Sequence, residues 1–147
     1  MDHLPQLITA TFREIAIIHE RMEIILKENL PSELPTSQFK LLNHLIYTTN
    51  SQETASQLAK NSHVSLSAMS QIIKQLSNKG YVSLQIRDHD ARKKTILITE
   101  QGRIAHQNAL TQIDIVLKSF APNFSLVDIQ QLFKLINQFR REFEQHT

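Results

Sequence analysis

Glycine is scarce in this chain, because only Gly80 and Gly102 occur among 147 residues. Proteins built from many tight β-turns need glycine where φ is positive, so this scarcity indicates long helices instead. Hydrophobic residues make up 41% of the chain and cysteine is absent. A chain of this length and composition buries one core without disulfides. We therefore predict a mostly α protein, with a single domain over residues 1–147.

Apolar residues recur at steps of three and four in several stretches, which is the spacing of one helical face. The first stretch, residues 7–26, predicts a long amphipathic helix that stops at the segment LPSELP, where two prolines interrupt it. A second helix is predicted to follow, with Thr36 or Ser37 as its N-cap. A short third helix fits residues 54–61.

The fourth predicted helix has clear signals at both ends. Ser65 or Ser67 suits the N-cap, and Gly80 follows Lys79 as a left-handed C-terminal cap requires. Two short helices joined by a tight turn, the second with a polar outer face, indicate a helix-turn-helix. The inward face of this helix is expected to hold Leu66, Met69, Ile73 and Leu76.

Two stretches rich in β-forming residues, 81–86 and 95–99, flank the charged segment RDHDARKK. This pattern predicts a β-hairpin with a solvated basic tip. Residues 60–103 contain eight Lys or Arg against three Asp or Glu, whereas the rest of the chain has eight against eleven. A basic centre between acidic ends indicates a local surface for a polyanion.

Two more helices are predicted beyond the hairpin. Gly102 is expected to end the hairpin region, and a fifth helix then runs to about Phe120 before Pro122 interrupts it. Ser125 suits the N-cap of the last helix, which has a wide apolar stripe.

Residues 54–102 resemble the MarR family of bacterial regulators. The recognition-helix region reads VSLSAMSQIIKQLSNKGYV and the hairpin region reads LQIRDHDARKKTILITEQG. Asp90, Ala91 and Arg92 align with the Asp-Arg-Arg that the family has at the hairpin tip. Thr99 and the glycine three residues later align with its Leu-Thr-x-x-Gly.

Two positions depart from the family pattern. Ala91 replaces the first arginine of the tip, and Leu84 stands where many members carry an arginine. Fewer contacts from the hairpin are therefore expected, unless Arg87, Lys93 or Lys94 compensates.

The resemblance implies a winged helix-turn-helix with about six helices and one two-stranded hairpin, the wing. Residues 36–100 would form the DNA-binding lobe, and residues 1–30 and 101–147 the dimerisation helices. These helices would interleave with those of a second copy, so that two recognition helices meet a near-palindromic site on double-stranded DNA. Alternatively, they only complete the core of a monomer. The interface residues expected are Ile8, Phe12, Ile15, Ile136, Phe139 and Phe143.

An α-helix fits the major groove of DNA, so the outward side chains of the fourth helix are candidates for base contacts. Gln71 and Gln75 suit bidentate contacts with adenine, while an arginine at the wing tip suits a narrow minor groove. The simpler alternative is a solvated polar face and a tip charged for solubility. The candidate DNA-binding residues are Ser65, Ser67, Ala68, Ser70, Gln71, Lys74, Gln75, Arg87, Asp90, Arg92, Lys93 and Lys94.

The resemblance also implies a small-molecule pocket between the dimerisation helices and the DNA-binding lobe. Phe39, His44 and Tyr47 are candidate lining residues, with ordinary core packing as the alternative. His19 and Glu23 share a helical face, but one such pair does not define a metal site. No metal or cofactor is therefore expected.

The leading functional prediction is a cytoplasmic, ligand-responsive repressor that binds DNA as a homodimer. A winged helix that serves protein assembly is the alternative, and it predicts no steep dependence of DNA binding on salt. An enzyme is not expected, since no nucleophile motif or phosphate-cradling glycine loop is present. No run of apolar residues is long enough for a membrane helix.

Overall fold

The structure, a computed structural model, describes residues 3–48, 52–86 and 93–146. These residues form helices and one two-stranded sheet, in close agreement with the predicted order. The elements are α1 (Leu4–Asn29), α2 (Thr36–Tyr47), α3 (Ala55–Asn61), α4 (Leu66–Asn78), β1 (Val82–Ile86), β2 (Lys94–Ile98), α5 (Glu100–Phe120), a 3₁₀ turn (Ala121–Asn123) and α6 (Leu126–His146). The chain divides into two compact units at residues 113 and 114, and each is described by itself.

The start of α2 differs from the prediction. Pro35, rather than Thr36 or Ser37, is the N-cap, and no side chain caps this end of the helix. The carbonyl of Pro35 accepts the first helical bond, from the N–H of Phe39 at 2.9 Å. The prediction failed because proline at this position fixes the chain just before the helix, so Thr36 already lies in its first turn.

The core of the first unit is built from leucines of three helices and of the connection between α1 and α2. Each fully buried leucine stabilises the fold by about 1.5–3 kcal/mol relative to an exposed one. The sheet covers this core with Val82 and Ile96, and α5 adds Ala109 and Ile113. The largest fully buried side chains are Leu34, Leu42, Leu58 and Leu76.

The two glycines lie at the junction of α4, the hairpin and α5. Gly80 has φ of +75°, which confirms the predicted left-handed cap. Gly102 lies inside α5 rather than before it, since the helix already begins at Glu100. A Cβ at Gly102 would stand 2.1 Å from the carbonyl oxygen of Tyr81, so this close approach requires glycine.

In the second unit, residues 114–146, α6 begins where Ser125 caps it, as predicted. The Ser125 hydroxyl accepts from the N–H of Asp128 at 3.1 Å and donates to its carboxylate at 2.6 Å. No residue of α6 is buried, and its apolar stripe is open along most of its length. None of the described helices is long and apolar enough to cross a membrane.

Candidate nucleic-acid interface

The helix-turn-helix consists of α3, a tight turn and α4. Thr54 caps α3 in a capping box with Gln57, in which each side chain binds the backbone N–H of the other residue. The turn uses His63 at φ of +53°, and the N–H of Val64 donates back to the carbonyl of Ala59 at 3.1 Å. These bonds hold the turn that joins the two helices.

The inward face of α4 anchors it to the core through Met69, Ile73 and Leu76, all buried as predicted. Leu66 was also predicted to face inward, but it is 51% exposed. Leu66 is the first residue of the helix, one turn before the first buried position, so it extends beyond the core. Ser65 is the N-cap, and its hydroxyl accepts from the N–H of Ala68 at 3.0 Å.

The outward face of α4 is polar and open to solvent. Ser70 and Lys74 lie on one flank, where they line a cavity of about 440 Å³ together with Leu84 and Lys94 of the hairpin. Gln75 lies on another flank, where it bonds to Gln38 of α2. The seven candidate DNA-binding residues of this region are all exposed: Ser65, Ser67, Ala68, Ser70, Gln71, Lys74 and Gln75.

The hairpin is antiparallel, with Val82 paired to Ile98 at its base and Ile86 paired to Lys94 at its far end. Lys93 and Lys94 are exposed. Leu84, which departs from the family pattern, is also exposed. Three further candidates, Arg87, Asp90 and Arg92, lie outside the described residues.

The described residues on this face give it a positive charge. Lys74 of α4 and Lys94 of β2 line the same cavity, so the two cations belong to one surface. Within the described ranges, no ion pair engages either of them. Exposed cations of this kind are available to DNA phosphates.

The sheet is joined to the helix-turn-helix by backbone contacts. Thr54 forms an isolated bridge with Thr95, and the N–H of Ile96 donates to the carbonyl of Glu53 at 3.0 Å. Glu53 is 8% exposed, and its carboxylate contacts His44 Nε2 and Asn61 Nδ2, each at 2.6 Å. The hairpin therefore holds a defined position beside α3 and α4.

The three candidate pocket residues do not converge. Phe39 is buried and stacks on His106, with ring centroids 5.1 Å apart. Tyr47 is 77% exposed. His44 alone of the three lines a cavity of about 560 Å³, whose other walls come from α1, α2 and α4. Successive turns of α2 carry these side chains to different surroundings, so the pocket shared by all three stays a prediction.

His106 is a histidine whose burial the sequence did not predict. It is 3% exposed, and burial lowers its pKa below the ordinary value of 6.5. Its Nε2 lies 2.9 Å from Asn43 Oδ1, which requires the nitrogen to donate. The ring is therefore a neutral part of the core.

The two residues weighed as metal ligands, His19 and Glu23, lie close together on α1. Glu23 pairs with Lys40 at 2.5 Å, while His19 lies 4.0 Å from the same carboxylate. Across the described part of the chain, no group of three or more His, Asp or Glu residues could hold a metal ion.

The candidate interface residues lie on α1 and α6. In the first unit, Ile8, Phe12 and Ile15 are half-buried. In the second unit, Phe139 is half-buried, while Ile136 and Phe143 are 41% and 49% exposed.

Three helices with a hairpin packed beside the second helix of a helix-turn-helix define a winged-helix fold. The polar cationic face of that helix is of the kind that winged helices present to DNA. Residues 34–94 match the family model described as MarR family. This stretch, which covers less than half of the chain, is therefore similar to the MarR family.

Several solved structures share the fold of this chain. The transcriptional regulator BldR from Sulfolobus solfataricus is 19% identical, with a TM-score of 0.75 over 97% of this chain and 99% of that one. Wild-type MarR from E. coli in its apo form is 21% identical, with a TM-score of 0.71 over 86% of this chain and 94% of that one. A mutant of E. coli MarR complexed with operator DNA is 20% identical, with a TM-score of 0.67 over 94% of this chain and 99% of that one. No protein of curated function matches the sequence significantly.

Proposed function

We propose that this protein is a sequence-specific regulator that binds a near-palindromic operator as a homodimer and represses transcription until a small molecule releases it. The observation that carries the proposal is the exposed polar face of α4 beside Lys74 and Lys94. A helix of this kind enters the major groove, and the lysines neutralise phosphates on either side of it. The operator DNA bound by the mutant E. coli MarR is the model for the ligand. Such a regulator acts in the cytoplasm, where bacterial DNA lies.

The homodimer is proposed from apolar surface that each unit leaves open. In the first unit, α1 exposes Leu4 and Leu7 by 58% and 64%. In the second unit, Leu126, Val127 and Phe133 are each more than two-thirds exposed. Monomeric proteins rarely expose contiguous apolar areas of more than a few hundred Å². Burial against a second copy would cover these side chains, and it would present two recognition helices to two half-sites.

Ligand response is proposed from the cavity of about 560 Å³ beside His44. Its walls combine apolar side chains, among them Leu41 and Met69, with the charged pair of Lys40 and Glu23. Pockets of mainly apolar lining with a few polar groups suit small molecules. Because α1, α2 and α4 all line it, a ligand that fits one arrangement of these helices better would shift the position of α4.

Selection from a pool of randomised duplexes tests the proposal. Purified protein is expected to enrich a sequence of two inverted half-sites, with centres about one helical turn apart. The stoichiometry of the complex, measured by sedimentation, is expected to be two chains per site. An assembly module would enrich no sequence and would show weak binding to every duplex.

A further inference from the structure

A chain of polar side chains runs from the end of α4 through α2 and back to the recognition face. Lys79 Nζ donates to Gln38 Oε1 at 2.6 Å and also to the carbonyl oxygen of Glu33. Gln38 Nε2 then donates to Gln75 Oε1 at 2.9 Å. Lys79, Gln38 and Gln75 are here called the amide relay.

The chemistry of the ammonium group determines which way each amide points. An ammonium only donates hydrogen bonds, so Gln38 must face Lys79 with its oxygen. The nitrogen of the same amide then faces Gln75, and Gln75 must accept that bond through its own oxygen. A rotated Gln38 would place its NH₂ group against the ammonium.

Burial makes such a rotation rare. Gln38 is 4% exposed, so water does not replace a lost partner on either side of its amide. A buried donor without an acceptor is costly, and the cost rises beside a charged group. Lys79 therefore fixes the orientation of the Gln38 amide, and Gln38 fixes that of the Gln75 amide. The donor group of Gln75 is left at its exposed end.

We propose that Gln75, with its oxygen held toward Gln38, turns its NH₂ group toward DNA and thereby favours guanine, with Gln38 and Lys79 as positioning residues. Gln75 is exposed, and within the described part of the chain no hydrogen bond engages its Nε2. A bidentate contact with adenine needs both an acceptor and a donor, whereas guanine offers two acceptors, N7 and O6, in the major groove. The relay thus favours guanine over the adenine that a free glutamine at residue 75 predicts.

This inference rests on the proposed function, and selection of randomised duplexes tests the two separately. The ratio of guanine to adenine is measured at each base position for the wild type and for Gln75→Ala, which locates the position that Gln75 contacts. Gln38→Met keeps the side-chain volume but frees the Gln75 amide to rotate. In Gln38→Met, the ratio of guanine to adenine at the base position that Gln75 contacts is expected to fall roughly tenfold.

Variants of Lys79 provide an independent arm, because this side chain is exposed and its replacement threatens the fold less. Lys79→Met removes the ammonium and is expected to lower the same ratio. Lys79→Arg keeps a group that only donates and is expected to preserve the ratio. A role of Lys79 in binding phosphate alone would weaken binding to all sequences equally and would leave the ratio unchanged.

The outcomes separate the two proposals. If the wild type binds no duplex, the proposed function fails. If it selects an operator but the ratio stays the same in both Gln38→Met and Lys79→Met, the relay is refuted while DNA binding stands. If Gln75→Ala weakens binding equally on every sequence, Gln75 contacts phosphate and the inferred preference for guanine is wrong.

Discussion

The hydroxyl of Thr99 donates a hydrogen bond to the carbonyl oxygen of Gly80 at 2.6 Å. The same hydroxyl accepts from the N–H of Gly102 at 3.1 Å, so it also satisfies the first turn of α5. One side chain thus joins the end of α4 to the start of α5, across the base of the hairpin.

Replacing Thr99 by valine removes both bonds and keeps the shape. The change is expected to lower the free energy of unfolding by about 1–2 kcal/mol, as for other lost N-caps. Thr99→Ser keeps the hydroxyl and should lose less than half as much. Urea denaturation of the three proteins measures the difference, and equal stability of the valine and serine variants would contradict the role given to the hydroxyl.

Gly102→Ala is expected to destabilise the protein more than its helical position suggests. Alanine normally stabilises a helix relative to glycine by about 0.5–1 kcal/mol. Here its Cβ would overlap the carbonyl of Tyr81, which must move, at a cost of about 1–3 kcal/mol. Thermal unfolding checks the sign, with Gln107→Ala on the exposed side of α5 as the control. A raised melting temperature for Gly102→Ala would show that the close approach is easily relaxed.

The stability of the wild type is expected to fall as the pH drops below about 6.5, partly because of His106. Its pKa is lowered in the folded state by burial, so the unfolded state takes up the proton first. Stability therefore rises with pH between the folded and unfolded pKa values and is constant above the latter. His106→Gln removes this titration but keeps an N–H donor for Asn43. The fall in unfolding free energy between pH 7 and pH 5 should be smaller in the variant, and an identical fall would exclude His106 as a source.

Charge on the open stripe of α6 should prevent dimerisation. Ile136→Asp combined with Phe143→Asp places two carboxylates where the proposed interface excludes water, at a cost of several kcal/mol. Sedimentation is expected to show monomers. The helix content of the double variant should equal that of the wild type. Gln138→Asp, an exposed polar residue on the same helix, serves as the control. A stable dimer of the double variant would place the interface elsewhere.

Local chemistry explains which parts of the fold could be predicted from the sequence. Ser65, Gly80 and Ser125 mark helix ends through bonds or φ values that involve residues within three positions. Gly80 and Ser125 were predicted, and Ser65 was one of the two caps predicted for α4. The predicted N-cap of α2 was wrong because Pro35 and Thr36 both suit a helix start. The predicted inward position of Leu66 was wrong because the periodicity of apolar residues identifies a helix face but not the point where the core ends.

The candidate site was less predictable, because its geometry depends on residues distant in the sequence. The orientation of the Gln75 amide depends on Gln38, which is 37 residues away. Nothing in the spacing of α2 marks Gln38 as a buried polar residue rather than a surface one. Phe39 likewise stacks on His106, a partner that was not visible from the helix that carries Phe39.

The salt dependence of duplex binding tests the central claim most directly. The observed binding constant of the wild type for its selected operator, plotted against salt concentration on logarithmic axes, should fall steeply, with a slope of about −0.9 for each phosphate contacted. Removing Lys74 and Lys94 together, as Lys74→Ala with Lys94→Ala, should flatten that slope by roughly two units per subunit. A flat plot for the wild type, or an unchanged slope in the double variant, would contradict an interface formed by α4 and the hairpin.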